Sequence, residues 1–191
     1  MNKTEELFDI YNQDGTKTGR IATMKEVIAE GLIINTANVF IVNSLNQVLL
    51  HKDGKPSHLS FNKWRCSVAG KNSAGNDTLE TARRETLEEL GLDIPKDKFR
   101  LIKTRFYDDV DRYKFLVDVY VVGNIDKSEG GVNISFSIND MKINKDEIAE
   151  VKWFNQDYLR NWKENGLDAY NGKGRIFETH LNDLLEWLDK K

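Results

Sequence analysis

The sequence predicts an α+β fold in which a mixed β-sheet packs against a small number of helices. Two hairpin patterns occupy the first third of the chain, alternating apolar strands recur after it, and helical periodicity appears in separate segments. This order of hairpins, helix, strands and helix is typical of an α+β or mixed-sheet sandwich. The 191 residues, 39% of them hydrophobic, supply enough apolar material for one sizeable core.

The N-terminal part of the chain contains two predicted hairpins with a short helix between them. LFDIYNQDGTKTGRI places apolar-bearing segments on both sides of the turn signal NQDG, so residues 6–22 are predicted as a hairpin. TMKEVIAEG, residues 23–31, predicts a helix that ends at its glycine. NVFIVNSLNQVLLHK predicts strands near 38–43 and 47–52, and the polar run 53–63 predicts a surface loop.

The middle of the chain predicts a strand, a glycine-containing loop and a helix. WRCSVAGK, residues 64–71, is the strand, and the helix spans about 78–90. Asp77 and Glu80 have the spacing of a capping box at its start. Gly91 has the place of a C-cap glycine at its end.

The last third of the chain predicts three more strands and two helices. The strands are FRLIKTRFYDD, RYKFLVDVYVVG and IAEVKWF, the last at residues 148–154. Segments 155–165 and 175–190 are predicted helices, and apolar residues in the second recur at the spacing of an amphipathic helix. The Gly, Ser, Asn and Asp-rich segment 124–140 predicts a loop.

Composition and charge exclude several functional classes. The net charge of −3 argues against general affinity for nucleic acid or for an anionic membrane. Cys66 is the single cysteine, so neither an intramolecular disulfide nor a cysteine-based zinc site is expected. No run approaches the ~18 apolar residues of a membrane span, and the first residues lack the apolar centre of a signal peptide. A cytoplasmic protein is expected.

One domain is predicted for residues 1–191, because the chain contains no repeat, low-complexity tract or convincing linker. The hairpin 6–22 and the helix 175–190 are interpreted as additions to its core. An arm of this kind can join two subunits, so a homodimer is a hypothesis for the oligomeric state.

An unusual charge pattern marks the predicted helix 78–90. Glu85, Glu88 and Glu89 crowd its C-terminal half, where the helix dipole is already negative. On a helical wheel the three share one face, and like charges at this spacing destabilise a helix. Three converging carboxylates suit a hard divalent cation that keeps positions for water and phosphate oxygens. The alternative is a solvated acidic surface.

The residues around these glutamates resemble the Nudix box, G-x5-E-x7-R-E-U-x-E-E-x-G-U, where U is apolar. The matching positions are Gly70, Arg84, Glu85, Glu88, Glu89, Gly91 and Leu92. Asn76 stands where the motif has its first glutamate, and Thr86 stands at an apolar position. Further segments along nearly the whole chain are similar to the branch that includes isopentenyl-diphosphate isomerase and its hydrolase-like relatives.

The resemblance implies an α/β/α sandwich on a mixed sheet that hydrolyses the pyrophosphate bond of a nucleoside diphosphate linked to another group. Mg²⁺ or Mn²⁺ is the implied cofactor. Glu85 and Glu89 would ligate the metal, and Glu88 would ligate it or orient a bound water. Arg84 would act structurally. The general base would be Glu85 or a residue from a distant loop, for which Glu147 is the candidate.

Phosphate binding is assigned to Gly70, Lys52 and Lys71, which sit where they would reach the substrate. Asp53 stands where relatives of this branch often have an arginine. A second function stays open, because Asn76 removes a motif carboxylate: a degenerate domain that binds a nucleotide or diphosphate without efficient turnover. Asp77 or Glu80 would have to replace that carboxylate.

Isomerase chemistry is not expected, because both proton-transfer groups of the isomerase are missing. Its cysteine directly precedes the box glycine, and that position is Ala69 here. Strand alternation predicts that Cys66 points to the same side as Val68 and away from Ala69. The isomerase's glutamate falls near Phe115. The three histidines have no metal-ligand spacing and are expected to be structural or superficial.

Overall fold

A computed structural model describes residues 5–108, 113–123 and 138–190. The strands are β1 (Leu7–Tyr11), β2 (Lys17–Thr23), β3 (Ile33–Val42), β4 (Gln47–Asp53), β5 (Trp64–Arg65), β6 (Val68–Lys71), β7 (Phe99–Tyr107), β8 (Lys114–Gly123) and β9 (Ile148–Asn155). The helices are α1 (Met24–Glu30), α2 (Thr78–Leu90), α3 (Gln156–Arg160) and α4 (Ile176–Leu188). Most of segment 124–140, predicted as a loop, lies outside the described residues.

The strands form one mixed sheet organised around β3. This strand pairs antiparallel with β1, β4 and β6, and parallel with β8 over its full length, from Ile33 opposite Lys114 to Val42 opposite Gly123. β7 extends the sheet beyond β8, and β9 pairs with β4. β3 is buried along most of its length at the centre of the molecule, and apolar side chains occupy both of its faces in its C-terminal half.

Helices cover both faces of the sheet. On one face α2 packs through Ala82 and Leu90 against β3, β8 and β9. On the other, α4 packs through Leu181 and Leu184 against β3, β4 and β8. A third cluster joins the N-terminal hairpin to α1. The predicted α/β/α sandwich on a mixed sheet is therefore confirmed. No described helix is long and apolar enough to cross a membrane.

The predicted strand 64–71 is wrong in one respect, because it is divided into β5 and β6. The interruption is at Ser67, whose Oγ accepts from Ile41 N at 2.7 Å and donates to Leu49 O at 2.6 Å. The Ser67 hydroxyl thus occupies a hydrogen-bonding position between β3 and β4 that backbone groups of a continuous strand would otherwise fill. The break changes the alternation: Cys66 and Ala69 both pack on the α4 side of the sheet, whereas Val68 packs on the α2 side. The predicted orientation of Cys66 is corrected accordingly.

The predicted helix 155–165 is shorter than expected, since α3 ends at Arg160. Asn165 explains the change. Its Nδ2 donates to Tyr158 O at 2.9 Å, and its carbonyl oxygen accepts from Tyr158 Oη at 3.0 Å. Such side-chain bonds offer the backbone an alternative to continued helix. The remaining helices and the N-terminal hairpin lie within a few residues of their predicted bounds.

Candidate active site

Helix α2 is held at both ends by the residues that the sequence suggests. Asp77 caps its first turn by accepting from Glu80 N at 2.6 Å, and Gly91 ends it in the left-handed conformation with φ 70°. Asn72 ties the preceding loop to the helix, because its Oδ1 accepts from Thr81 Oγ1 at 2.6 Å and its Nδ2 donates to Asn76 O at 2.9 Å. These contacts position the acidic face of α2 against the end of β6.

Gly70 on β6 makes this close approach sterically feasible. A Cβ at this position would lie 2.3 Å from the side chain of Glu85, far inside van der Waals contact. The hydrogen atom of glycine leaves space for the carboxylate to lie against the strand. The glycine of the box therefore places Glu85.

The three glutamates of the box have different surroundings. Glu89 is buried, Glu85 is mostly buried and Glu88 is exposed. Arg84 binds two of them, with Nη2 at 2.7 Å from Glu85 Oε1 and Nη1 at 2.8 Å from Glu88 Oε2. It therefore holds Glu85 toward β6 and Glu88 toward solvent.

Glu89 is a buried carboxylate whose hydrogen-bonding capacity is not fully used. Its Oε2 is buried and has no hydrogen-bond partner among the described residues. Burial raises the pKa of Glu89 well above its ordinary value, the neighbouring carboxylate of Glu85 adds to this, and the charge of Arg65 opposes it. The pKa of Glu85 is also raised by burial, against the influence of Arg84. Two buried carboxylates that repel each other favour a cation between them.

These residues fit a divalent cation, although not as a set of three protein ligands. Among residues 5–108, 113–123 and 138–190, no group of three or more acidic, histidine or cysteine side chains is arranged to hold an ion. Glu88 is turned outward to Arg84. Magnesium commonly takes one or two carboxylates and completes its shell with water and substrate phosphates. Glu85 and the unpartnered oxygen of Glu89 meet that requirement.

Glu147 is brought to the same place by the segment that precedes β9. Lys142 N donates to Leu90 O at 3.0 Å and Asn144 N donates to Glu89 O at 2.9 Å, so this segment is fastened to the C-terminal end of α2. The negative charge of Glu147 contributes to the raised pKa of both Glu85 and Glu89, so its carboxylate lies close enough to act on them. Lys55 binds Glu147 at 2.7 Å.

The carboxylate missing at position 76 is not supplied by its neighbours. Asn76 is exposed. Asp77 is engaged as the helix cap, and Glu80 forms an ion pair with Lys96. Glu147, which comes from a distant segment, is an additional carboxylate whose charge acts on both Glu85 and Glu89, and the charge of Asp53 acts on Glu89 as well.

Arg65 is a candidate residue that sequence reasoning missed. Its charge lowers the pKa of Glu89, and its Nη1 lies 3.2 Å from Oδ2 of Asp53. Asp53 is buried and also accepts from Ser60 Oγ at 2.5 Å and from His58 Nδ1 at 2.9 Å. Although burial raises the pKa of Asp53, hydrogen bonds led by that from Ser60 lower it to about 2. Asp53 therefore holds the guanidinium of Arg65 at the site. Asp53 itself occupies the position at which the resemblance leads one to expect an arginine.

A cleft of about 480 Å³ lies on the α4 side of the sheet, and the box glutamates and Glu147 are not among its lining residues. Arg65, Gly70 and Lys71 line the end that adjoins Glu85, and α1, α4 and the loop 54–63 form its walls. Its volume is in the usual range for small-molecule sites, ~300–1,000 Å³. Of the residues predicted to bind phosphate, Gly70 and Lys71 line the cleft. Lys52 is not among its lining residues, and its Nζ lies 5.9 Å from the centre of the Trp64 ring.

The sequence and the fold can now be compared with known proteins. The family model described as the NUDIX domain matches residues 33–171. The chain belongs to the Nudix family. Members of this family generally hydrolyse pyrophosphate bonds in nucleoside diphosphate derivatives.

Individual relatives agree with this assignment. Nudix hydrolase 3 of Arabidopsis thaliana is 30% identical over 186 residues, which is 91% of this chain but 23% of that protein. Isopentenyl-diphosphate Delta-isomerase 2 of Photorhabdus laumondii is 24% identical, with 85% of this chain and 86% of the isomerase covered. The crystal structure of DR0079 from Deinococcus radiodurans has a TM-score of 0.65 at 20% identity, covers 93% and 98% of the two chains, and shows the shared fold. The predicted membership of the Nudix family is confirmed, and one distant relative carries the name of the predicted isomerase branch.

Two residues distinguish this Nudix chain from the isomerase. The cleft is lined by Ala69 and Phe115, the positions where the resemblance requires a thiol and a carboxylate. Cys66 also lines the cleft, but its Sγ donates to Val68 O at 3.2 Å and burial raises its pKa to about 11. A thiol in this environment stays protonated at neutral pH, and among the described residues no carboxylate lines the cleft.

Proposed function

We propose that this Nudix domain hydrolyses the pyrophosphate bond of a nucleoside diphosphate linked to another group, in a reaction that depends on Mg²⁺ or Mn²⁺. The observation that carries the proposal is the buried, unpartnered Oε2 of Glu89, a carboxylate on which the charges of Glu85 and Glu147 also act. An arrangement of buried carboxylates without cation or proton is unfavourable, so it is typical of a functional site. Hydrolases of acid anhydrides need such a cation, because their substrates are polyanions.

Each residue has a role that follows from its position. Glu85 and Glu89 would hold the cation, which would screen the phosphate charge and lower the pKa of water. Arg84 fixes the orientation of Glu85. Arg65 and Lys71 bind phosphate oxygens at the end of the cleft. They thereby place the diphosphate against the carboxylates.

Glu147 is proposed as the general base. Its charge acts on Glu85 and Glu89, and its carboxylate takes a proton from the attacking water. The water oxygen forms a bond to one phosphorus, and the bond from that phosphorus to the bridging oxygen breaks. Lys55, bound to Glu147 at 2.7 Å, holds the carboxylate in place.

A second function is supported by position 76. Asn76 removes a motif carboxylate, and neither Asp77 nor Glu80 replaces it near the buried pair. A domain that binds the diphosphate without efficient turnover would tolerate this loss. The hydrolase is favoured because the charge of Glu147 acts on the pair, and a binding domain has little use for the repulsion among these carboxylates.

The decisive experiment is a screen for phosphate-containing products over nucleoside diphosphate derivatives, with Mg²⁺, with Mn²⁺ and with EDTA. We expect turnover that requires the metal and is abolished in Glu89→Gln. Glu147→Gln is expected to lower kcat by about 10²–10⁴-fold with a smaller change in KM. Glu150→Gln, an exposed glutamate on β9, is the matched control and should retain full activity.

Three results would contradict the proposal. Metal binding without turnover of any substrate would favour the binding domain. Full activity in Glu89→Gln would remove the metal-site assignment. An equal loss in Glu147→Gln and Glu150→Gln would remove the assignment of the base.

A further inference from the structure

A buried hydrogen-bonded network of three side chains lies in the wall of the cleft. Nδ2 of Asn38 on β3 is 3.0 Å from Nδ1 of His180, and Nε2 of His180 is 3.0 Å from Oη of Tyr107 on β7. Asn38 is 8% exposed and His180 is 1% exposed, and both line the cleft. His180 belongs to α4, beyond the residues 33–171 that match the family model. The network is thus completed by an element outside the matched domain.

Burial determines the protonation state of His180 in this network. Burial lowers the pKa of His180 to about 4, the charge of Asp183 opposes this, and that of Arg105 adds to it. The imidazole is neutral at neutral pH, so one ring nitrogen donates and the other accepts. Nδ2 of Asn38 can only donate, so Nδ1 of His180 accepts and its Nε2–H donates to Tyr107. The neutral ring therefore orients the Asn38 amide.

The orientation leaves Oδ1 of Asn38 as an acceptor in the cleft. No described residue donates a hydrogen bond to it, although the side chain is more than nine-tenths buried. An acceptor that loses its water when a ligand covers it selects ligands that offer it a donor, because a ligand without one leaves it unpaired.

The surroundings of Asn38 are uncharged and partly aromatic. Phe40, Phe115 and Phe177 line the cleft with it, whereas the charged residues Arg65 and Lys71 lie at the end near the carboxylates. Asn38 pairs with Ala69, directly beside Gly70, so the acceptor is close to the diphosphate end. This combination suits a flat, uncharged ring that carries an N–H donor and is attached to a phosphate group.

We propose that the cleft recognises a nucleobase with an exocyclic amine, as in adenine or cytosine, through a hydrogen bond from that amine to Oδ1 of Asn38. The proposal rests on the proposed function insofar as the base belongs to the diphosphate substrate. Asn38 is then a specificity-determining residue. His180 and Tyr107 act as positioning residues that keep its amide in one orientation.

The test measures base recognition without metal or turnover. Binding of four nucleotides is followed by titration calorimetry in EDTA: AMP, purine riboside 5′-monophosphate, CMP and 2-pyrimidinone riboside 5′-monophosphate. Each pair differs in the amine alone. In the parent protein the amine-bearing member of each pair should bind at least about tenfold more tightly. Equal affinities within both pairs, or no binding of any of the four, would overturn the proposal.

Two variants locate the effect. Asn38→Leu removes the acceptor at similar volume and should make the members of each pair bind equally. Tyr107→Phe keeps the ring but releases His180, and it should reduce the preference while leaving binding of the amine-free nucleotides unchanged. A preference that survives in folded Asn38→Leu would contradict the assignment. If Asn38→Leu does not fold, the comparison in the parent protein and in Tyr107→Phe still decides.

The proposed hydrolysis and the proposed base recognition can be contradicted independently of each other. Selective binding of the amine-bearing nucleotides together with a negative hydrolysis screen would overturn the proposed function and leave this inference standing. Metal-dependent hydrolysis of amine-bearing and amine-free substrates with equal kcat/KM would do the reverse.

Discussion

At the residue scale, the site depends on the lack of a side chain at Gly70 and on the buried carboxylate of Glu89. Gly70 has no Cβ, and the space is filled by Glu85. Glu89 keeps an oxygen without a hydrogen-bond partner among the described residues. Both features lower the stability of the protein on its own, and both place carboxylates where a cation and a diphosphate would use them. Each leads to a prediction about a single residue.

Gly70→Ala should displace Glu85, because the added methyl group would lie 2.3 Å from that side chain. We expect kcat/KM to fall by about 100-fold, since catalytic groups tolerate little displacement. Loss of stability should be about 1–3 kcal/mol, as for other overpacked sites. The measurement is a double-mutant cycle with Glu85→Ala, by urea unfolding and steady-state kinetics.

The cycle separates this mechanism from general damage to β6. In the Glu85→Ala background the clash is absent, so the further change Gly70→Ala should be nearly neutral for stability. A loss of the same size in both backgrounds would show that the methyl group meets something other than Glu85.

Glu89→Gln should stabilise the metal-free protein at alkaline pH. Because the folded-state pKa of Glu89 is raised, the folded protein binds a proton that the unfolded chain releases. The stability from this proton is fully present below about pH 4.5 and is lost as pH rises through the folded-state pKa. Melting temperatures of parent and variant in EDTA should therefore be close at pH 4.5 and diverge toward pH 8.

Added Mg²⁺ or Mn²⁺ provides the control for that experiment. Either ion should raise the melting temperature of the parent protein at pH 8 and have little effect on Glu89→Gln. A difference between the two proteins that does not change with pH would refute the assigned cause.

At the scale of elements, the loop 54–63 is organised from one buried residue. Asp53, at the end of β4, accepts hydrogen bonds from His58 and Ser60 and binds Arg65 on β5. The loop supplies one wall of the cleft, and Arg65 lies at the end near Glu89. Asp53 thus affects the shape of the cleft through the loop 54–63 and the charge of the site through Arg65.

Asp53→Ala should destabilise the protein by about 3 kcal/mol, because it leaves several donors without their buried acceptor. Hydrogen exchange in residues 54–63 should accelerate, and KM should rise as Arg65 loses its position. Asp168→Ala is the matched control, because Asp168 forms an exposed pair with Lys63 in the same region. Its effect should stay below about 1 kcal/mol. Equal effects of the two substitutions would contradict the role given to Asp53.

At the scale of the whole molecule, residues 33–171, which match the family model, are only part of the folded domain. Outside residues 33–171 lie the N-terminal hairpin, α1 and α4. Phe177, Leu181 and Leu184 of α4 are buried in the core on one face of the sheet, and Phe8 and Val27 form the third cluster. Of these elements, α1 and α4 also form walls of the cleft.

A fragment limited to residues 33–171 should therefore not fold. It loses at least five buried apolar side chains, each worth ~1.5–3 kcal/mol, against a total stability of ~5–15 kcal/mol for a typical domain. Circular dichroism and a urea titration would check this. A chain that ends after Leu188 is the control and should unfold cooperatively near the parent midpoint. Cooperative unfolding of the fragment itself would show that the added elements are dispensable.

The sequence by itself determined the local features. It located α2 with its cap Asp77 and its terminal Gly91, because caps and helical spacing act within a few residues. It also identified the family, since the box positions are close together in the chain. It predicted that Glu88 would join its neighbours, but adjacency on a helical wheel does not decide where a side chain turns, and Arg84 holds Glu88 outward.

Only the tertiary structure decided which distant residues meet. Asn38 and His180 are 142 positions apart, and Lys55 and Glu147 are 92 apart. Their contacts follow from the pairing of β3 and β4 with later strands and from the docking of α4, for which a single sequence contains no local signal. The side of the sheet that Cys66 faces was reversed by one hydroxyl, that of Ser67, which interrupted the strand. Local propensity acts along the chain, whereas register, burial and charge in the cleft arise when separate segments pack together.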